Sequence, residues 1–281
     1  MNVQIKSNNR YLFILFSILI ISFTGCKNET KEEEKEKKEK EFTHDQIVKR
    51  KSKEQRYALH VSEIHKSEHY KSEAYVGFEL EIQLPGLEDH LKIIKATDFS
   101  EIQFTSKKYG DFYVVGDQVF SASTSTINPH QAQSYLDLAF AFGAFSQIFE
   151  EANTFGEIEE KEAFENKYKL MQIEKLNSNF AFAPSALTSW TDARTDMLKA
   201  ISMQFHLTQD QKLLYFDRYI TVNRVPVSLT WKLFDEGAES DLITQASGEI
   251  KVSRIKYYSK GEYQIKVPEE TKKLNFENSV Q

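Results

Sequence analysis

Two histidines four residues apart, His65 and His69, with Glu68 beside the second, form the spacing H-x-x-E-H. On one helix this puts both imidazoles on the same face to hold a metal ion. The carboxylate then activates the bound water, as in inverted zinc hydrolases. That chemistry needs a regular helix under both rings and a third ligand from another helix. Here the helical periodicity ends near His65, and within ten residues the chain alternates as a strand. Lys66 and Lys71 flank the stretch, and Glu150 and Glu151, the acidic pair at a later helix end, border a loop. The stretch reads as a charged, solvated helix terminus. A pH-sensitive histidine contact and a metal site are the alternatives. No catalytic residue, metal or cofactor is assigned, and the chain is read as no enzyme.

Other catalytic patterns are missing from the sequence. There is no G-x-S-x-G elbow and no glycine-rich phosphate loop, and the ten glycines are spread thinly. Asp192 and Asp196 make a carboxylate pair, but they flank a turn, where acidic side chains cap backbone N–H groups. A two-carboxylate glycosidase leaves no signature in one sequence, and nothing here points to one. The 36 Lys and Arg against 42 Asp and Glu give a net charge of −6. An acidic chain repels nucleic acid, and no basic patch with interleaved aromatics offsets this, so nucleic acid is not an expected partner.

The elements that must position any site begin with export. Residues 1–25 have the form of a signal peptide: Lys6 and Arg10, an apolar run from Tyr11 to Ile21, then small residues before Cys26. The run is shorter than the ~20 residues that a membrane-spanning helix needs. Thr24-Gly25-Cys26 resembles the lipobox of bacterial lipoproteins, with Phe23 where a leucine-like residue is usual. This implies cleavage between Gly25 and Cys26 and lipidation of Cys26. Loss of residues 1–25 leaves 34 basic and 42 acidic groups, net −8. Cys26 is the only cysteine, so the lipidated chain has no disulfide, no thiolate nucleophile and no cysteine–zinc site. Residues 26–42 form a lipidated cysteine and a charged, disordered tether, because 27–41 contain only Lys, Glu, Asn and Thr. Lys27 differs from the aspartate of inner-membrane retention signals, and the acidic stretch resembles surface-export signals of Bacteroidota lipoproteins. Both imply a lipid-anchored protein of the outer membrane, periplasmic or surface-facing.

Residues 43–258 read as a single α+β domain, and residues 259–281 as a flexible polar tail. Thr43 to Gln46 has the pattern of a capping box, opening an N-terminal helix that runs to Lys66. Val76, Phe78, Leu80, Ile82 and Leu84 then alternate as a half-buried strand, stopped at Pro85-Gly86. Further strands are expected at 101–106, 112–115, 118–123, 166–176, 186–190, 197–206, 213–222, 225–234 and 249–258. Strands joined by short turns imply an antiparallel meander. One Phe-rich internal helix is expected from Asn128-Pro129 to about Glu151. Tyr135, Leu138, Phe142, Phe145 and Phe149 form one apolar stripe, and Leu136, Phe140, Ala144 and Ile148 a second. A helix apolar on nearly all sides must be covered on more than one. It is a buried core helix, a lid over an apolar cavity, or an element dipping into a membrane surface.

Three segments resemble an uncharacterised Bacteroidota lipoprotein family with a LolA/LolB-like half-barrel. They are residues 60–82, the stretch 189–203 with Asp192, Thr195 and Leu198 at D-x-x-T-x-x-L spacing, and 219–234 with Asn223, Arg224 and Pro226. Arg224 stands where that turn usually has glycine. The resemblance implies an antiparallel sheet curved into an open half-barrel around the Phe-rich helix. The leading functional expectation is a non-enzymatic, lipid-anchored protein binding an acyl chain or lipid. Tyr135, Leu138, Phe140, Phe142, Phe145 and Phe149 are the expected ligand or lid residues. The alternative is an envelope protein–protein interaction module, and a hydrolase ranks third.

Overall fold

A computed structural model describes residues 51–235 and 246–276. Cys26, the signal peptide, the tether and the Thr43 capping pattern lie outside the described residues. Within them the first helix, α1, spans Lys53–Ile64. Ser52 caps it from an extended backbone (ψ 168°), its side chain accepting from Gln55 N–H while Gln55 caps Ser52 in return. A helix continuous from Gln46 is therefore ruled out at Ser52. A short helix α2, Ser67–Ser72, follows.

Among the described residues thirteen strands form one antiparallel sheet: β1 Tyr75–Leu84, β2 Leu87–Ala96, β3 Glu101–Ser106, β4 Gly110–Val115, β5 Gln118–Ala122, β6 Thr154–Ala163, β7 Asn166–Lys175, β8 Leu187–Asp192, β9 Leu198–Gln204, β10 Gln211–Val222, β11 Val225–Asp235, β12 Gly248–Tyr258 and β13 Thr271–Leu274. Their order is β13-β5-β4-β3-β2-β1-β12-β11-β10-β9-β8-β7-β6. Two meanders, β1 to β5 and β6 to β12, are thus stitched together by the β1–β12 pair. The sheet is open, with β13 and β6 at its edges. This is the expected α+β half-barrel. The segment after Tyr258, expected as a flexible tail, instead supplies edge strand β13, which pairs with β5 and buries Leu274.

Turn chemistry sets the hairpins. Pro85-Gly86 joins β1 to β2, with Gly86 at φ +80°. Asn223 and Arg224 link β10 to β11 as a two-residue turn with both φ values positive, 46° and 65°. Asp192 Oδ1 accepts from the N–H groups of Arg194 and Thr195 and from the Thr195 hydroxyl, fixing the β8–β9 turn.

The Phe-rich segment is two helices rather than one. α3 spans Pro129–Ala141, capped by Asn128 in a box with Gln131, and α4 spans Phe145–Ile148. Phe142 leaves helical geometry at ψ 107° and Gly143 takes φ +88°. α3 is enclosed from both meanders. Phe142 stacks on Phe78 of β1 with centroids 3.8 Å apart and tilts against Trp231 of β11. Phe140 lies between Phe99 and Phe180. Tyr135 packs on Phe112 of β4 and donates to Asp89 of β2 at 2.5 Å. Asp137 accepts from His206, in the β9–β10 turn, at its ring Nδ1 (2.9 Å) and backbone N–H (2.8 Å).

Candidate functional site at the helix break

The break between α3 and α4 is held by an unusual residue for an interior. Lys95 on β2 is fully buried, and its Nζ donates to the carbonyls of Ala139 (2.9 Å) and Phe142 (2.5 Å). These belong to the last turn of α3 and the residue after it, where helix carbonyls lack partners and carry partial negative charge. The same nitrogen sits 3.3 Å from the centre of the Phe99 ring. Burial pushes the Lys95 amine well below its ordinary pKa. Among the described residues it makes no ion pair with a carboxylate.

Gly143 is required at the break for two reasons. Its φ of +88° suits glycine, and a Cβ there would lie 2.5 Å from the Tyr70 hydroxyl oxygen and 3.4 Å from Lys95 Nζ. After this notch α4 carries Phe145 across the α1–α2 junction. Phe145 stacks on His65 at 5.0 Å and meets Tyr70 edge-on at 5.3 Å.

His65 corrects the expectation of a solvated terminus. It is 1% exposed at the end of α1, and its Nε2 accepts from Leu198 N–H at 2.9 Å. Lys66 then turns left-handed (φ 56°), so His69 begins anew on α2. The two rings do not share a helix face, and the His65 nitrogen that would bind metal is already committed to the backbone. Burial lowers the His65 pKa to about 3, so the ring is neutral with its proton on Nδ1. Asp192 and Asp196 are likewise occupied, Asp192 by donors of its own turn and Asp196 by donors from elsewhere in the chain. Asp196 accepts from Tyr57 (2.8 Å) and Lys169 (2.7 Å). Among the described residues no group of three or more His, Cys, Asp or Glu is placed to hold a metal.

On the other side of Phe145 a cleft opens, walled by Phe142, Phe145, Leu198, Phe216, Val227 and Trp231, with Tyr219 and Ser228 as its polar members. Leu198 is gripped twice: its N–H goes to His65, and its carbonyl accepts from the Tyr219 hydroxyl. Counting the space at its mouth the cleft spans about 330 Å³, while the cavity at its floor is about 30 Å³, room for about two waters. Of the six residues expected at a ligand or lid, Phe142 and Phe145 reach this cleft. Tyr135, Leu138, Phe140 and Phe149 are buried in the main core. Sequence reasoning did not single out Lys95, Tyr70 or Gly143. A lone glycine inside an otherwise helical apolar run was the available signal for the break.

Several polar atoms of this region are buried with no hydrogen-bond partner among the described residues: His65 Nδ1, Ser67 Oγ, His69 Nε2, Tyr70 OH and Tyr257 OH. Tyr70 and Tyr257 meet edge-on at 6.1 Å.

No protein-family model matches the chain, and no curated protein matches it in sequence. Solved structures do resemble it. A DUF1329 family protein from Desulfovibrio piger shares 8% identity, covers 71% of this chain and 92% of its own, and has a TM-score of 0.40. A LolA superfamily protein from Nitrosomonas europaea gives 7%, 70%, 92% and 0.42 for the same measures. A putative outer membrane lipoprotein-sorting protein domain from Vibrio parahaemolyticus gives 11%, 71%, 93% and 0.38. Likeness at this level assigns neither ligand nor activity.

Proposed function

We propose that this chain is a non-enzymatic envelope lipoprotein, anchored through Cys26 to the outer membrane, whose half-barrel takes an apolar ligand at the α3–α4 break. The observation that carries the reading is the cleft itself. Six apolar side chains, Phe142 just past α3 and the others from α4, β9, β10 and β11, face one space at a discontinuity in the buried helix. Ligand pockets are commonly about 300–1,000 Å³. The cleft reaches that scale only with its mouth included, so a ligand must displace Phe145 and the four-residue α4. A helix that short is stable only through its packing, which suits a part that moves.

The small cavity floor favours a second reading, an envelope module that docks on another protein. One titration separates the two. A fluorescent fatty-acid probe that binds the isolated protein, and is displaced by unlabelled acyl chains, supports the ligand reading. If no apolar probe binds and no lipid co-purifies, the docking module stands instead. The anchor is tested apart from the cleft: Cys26→Ser should abolish fatty-acid labelling and leave an uncleaved precursor, and normal labelling in that variant refutes it.

A further inference from the structure

The sheet has an open edge inside its own strand order as well as at its ends. β10 pairs with β9 only from Gln211 opposite Gln204 to Tyr215 opposite Ala200. It then runs on to Val222, paired with β11 alone. Among the described residues Phe216 to Val222 have no strand on the β9 side, and the Tyr219 hydroxyl spans the gap by donating to the Leu198 carbonyl. The end of this stretch is open to solvent: Arg218, Ile220 and Thr221 are exposed, Ile220 by 43%. The phase of its backbone follows from Pro226. Val222 and Val225 close a two-residue turn and exchange both backbone bonds, which makes Thr221 and Pro226 the next, non-hydrogen-bonded pair. A proline, lacking an N–H, fits that position. The N–H and C=O of Thr221 therefore point away from β11, to the open side. On the far side of the hairpin β11 pairs with β12 only from Thr230 to Leu233, and there Pro226 removes a donor that an added strand needs. The β10 side is the edge competent to pair.

We propose that β10 from Tyr219 to Val222 is a docking edge for an extended, acidic segment of another protein, which adds there as a strand. The edge presents backbone donors and acceptors in a row, and an extended backbone is what satisfies both. An acyl chain does not, so this site goes beyond the apolar-ligand reading and does not depend on it. Charge selects the occupant. Arg218 lies at one end of the stretch and Arg224 just past the other. Lys199 reaches across the gap from β9, its Nζ 5.2 Å from the centre of the Tyr219 ring. Among the described residues none of these three cations makes an ion pair, although the chain as a whole is acidic. The carboxylates beside them are engaged: Asp217 faces Lys232 at 3.5 Å, and Glu73 accepts from Asn223 and Ser259. Acidic side chains of an incoming strand complement the three. Arg218, at φ 54°, breaks the regular strand and sets where pairing stops. Phe216 and Tyr219 of β10 and Leu198 of β9 also line the cleft, so the added strand runs along its lip, where an apolar side chain meets it.

The test is fluorescence anisotropy of a short, labelled, amidated peptide of alternating glutamate and valine, titrated with the wild-type protein. It should bind with a Kd below about 1 mM, and amide hydrogen exchange over Tyr219 to Val222 should slow on binding. N-methylation of two adjacent central residues spoils both edges of the peptide and should weaken binding at least about tenfold, the scale of one or two backbone hydrogen bonds. A lysine–valine peptide should also bind at least about tenfold more weakly. Thr221→Pro, which removes the outward N–H, should weaken the glutamate–valine peptide about tenfold. Arg218→Ser combined with Arg224→Ser changes exposed side chains alone, should weaken it about fivefold, and carries the test if Thr221→Pro does not fold. Absence of binding up to about 1 mM overturns the docking edge. Equal binding of the N-methylated peptide overturns it too, leaving charge attraction without strand addition. A dimer of the protein alone that Thr221→Pro abolishes overturns the foreign partner in favour of a second copy. The fatty-acid probe reports on the cleft separately: its failure with peptide binding intact overturns the apolar-ligand reading and supports this edge.

Discussion

Replacing His65 with glutamine should flatten the acid side of the protein's stability profile. The buried ring has a pKa of about 3, against 6.5 for an exposed histidine. Below pH 6.5 the unfolded chain binds a proton that the folded chain refuses. The depressed pKa therefore contributes stability that is fully present above 6.5 and is lost as the pH falls toward 3. Between about pH 7.5 and pH 5.5 the linkage relation gives a loss of about 1.4 kcal/mol from this one residue. Glutamine offers a carbonyl oxygen to the Leu198 N–H that Nε2 now engages, and it does not titrate. It also gives up the stack on Phe145, so it should be less stable at every pH, and the slope rather than the level is informative. The assay is urea unfolding of both proteins across that pH range. Every other group is common to both chains and cancels in the difference. The wild type should lose about 1.4 kcal/mol more than His65→Gln. Identical slopes would refute the placement of His65 as a neutral, buried acceptor.

Gly143→Ala should cost about 2–4 kcal/mol in chemical unfolding, from positive φ and from contact with the Tyr70 hydroxyl; a neutral effect would show that the break relaxes freely. Arg224→Gly should raise stability by about 1 kcal/mol, since the arginine holds φ 65° at an exposed turn, and a fall would argue against that turn geometry. Phe140→Ala, in the main core, should cost about 3–5 kcal/mol, while Phe145→Ala, at the cleft, should cost less and change fatty-acid probe binding; equal losses with unchanged probe binding would make α4 ordinary core. Asp192→Ala should cost about 1–3 kcal/mol by stranding the donors of Arg194 and Thr195, as read by thermal melting; no loss would remove Asp192 as the organiser of that turn.

What was legible in the sequence follows from how far each signal is local. The alternation of β1 predicts its inward face, and Val76, Phe78, Leu80, Ile82 and Leu84 are all buried. Asn128-Pro129, Asp192 and Asn223-Arg224 set turns and caps through their own backbones, so short-range reasoning finds them. β2 was not expected, because Ile93, Ile94, Lys95 and Ala96 are buried in succession and break the period of two. β6 was missed for the opposite reason: Glu157, Glu159, Glu160 and Glu162 make it read as solvent-facing chain. The buried state of Lys95 and His65 depends on residues far along the chain, Ala139 and Phe142 for one, Leu198 for the other. No spacing rule reports such partners. The H-x-x-E-H motif misleads because Lys66 takes a left-handed conformation, a choice of tertiary packing over helix continuity.

The two edges and the interior of the sheet answer one physical demand in different ways. An open antiparallel sheet leaves backbone donors and acceptors at both ends, a template for unwanted pairing. β6 blunts one edge with four glutamates and Lys161, and β13 caps the other as a four-residue strand carrying Lys272 and Lys273. An open half-barrel also has a concave face that must be filled, and α3 with the Phe142 that follows it fills it with side chains turned to both meanders. A single straight helix of the length expected from the sequence would seal that face. The break at Phe142 and Gly143 instead ends the sealed part at the last turn of α3, where Lys95 holds the carbonyls. Beyond it only α4 and Phe145 stand over the unpaired donors. Firm packing and the cleft therefore occupy adjacent halves of one apolar segment, and the boundary between them is the glycine.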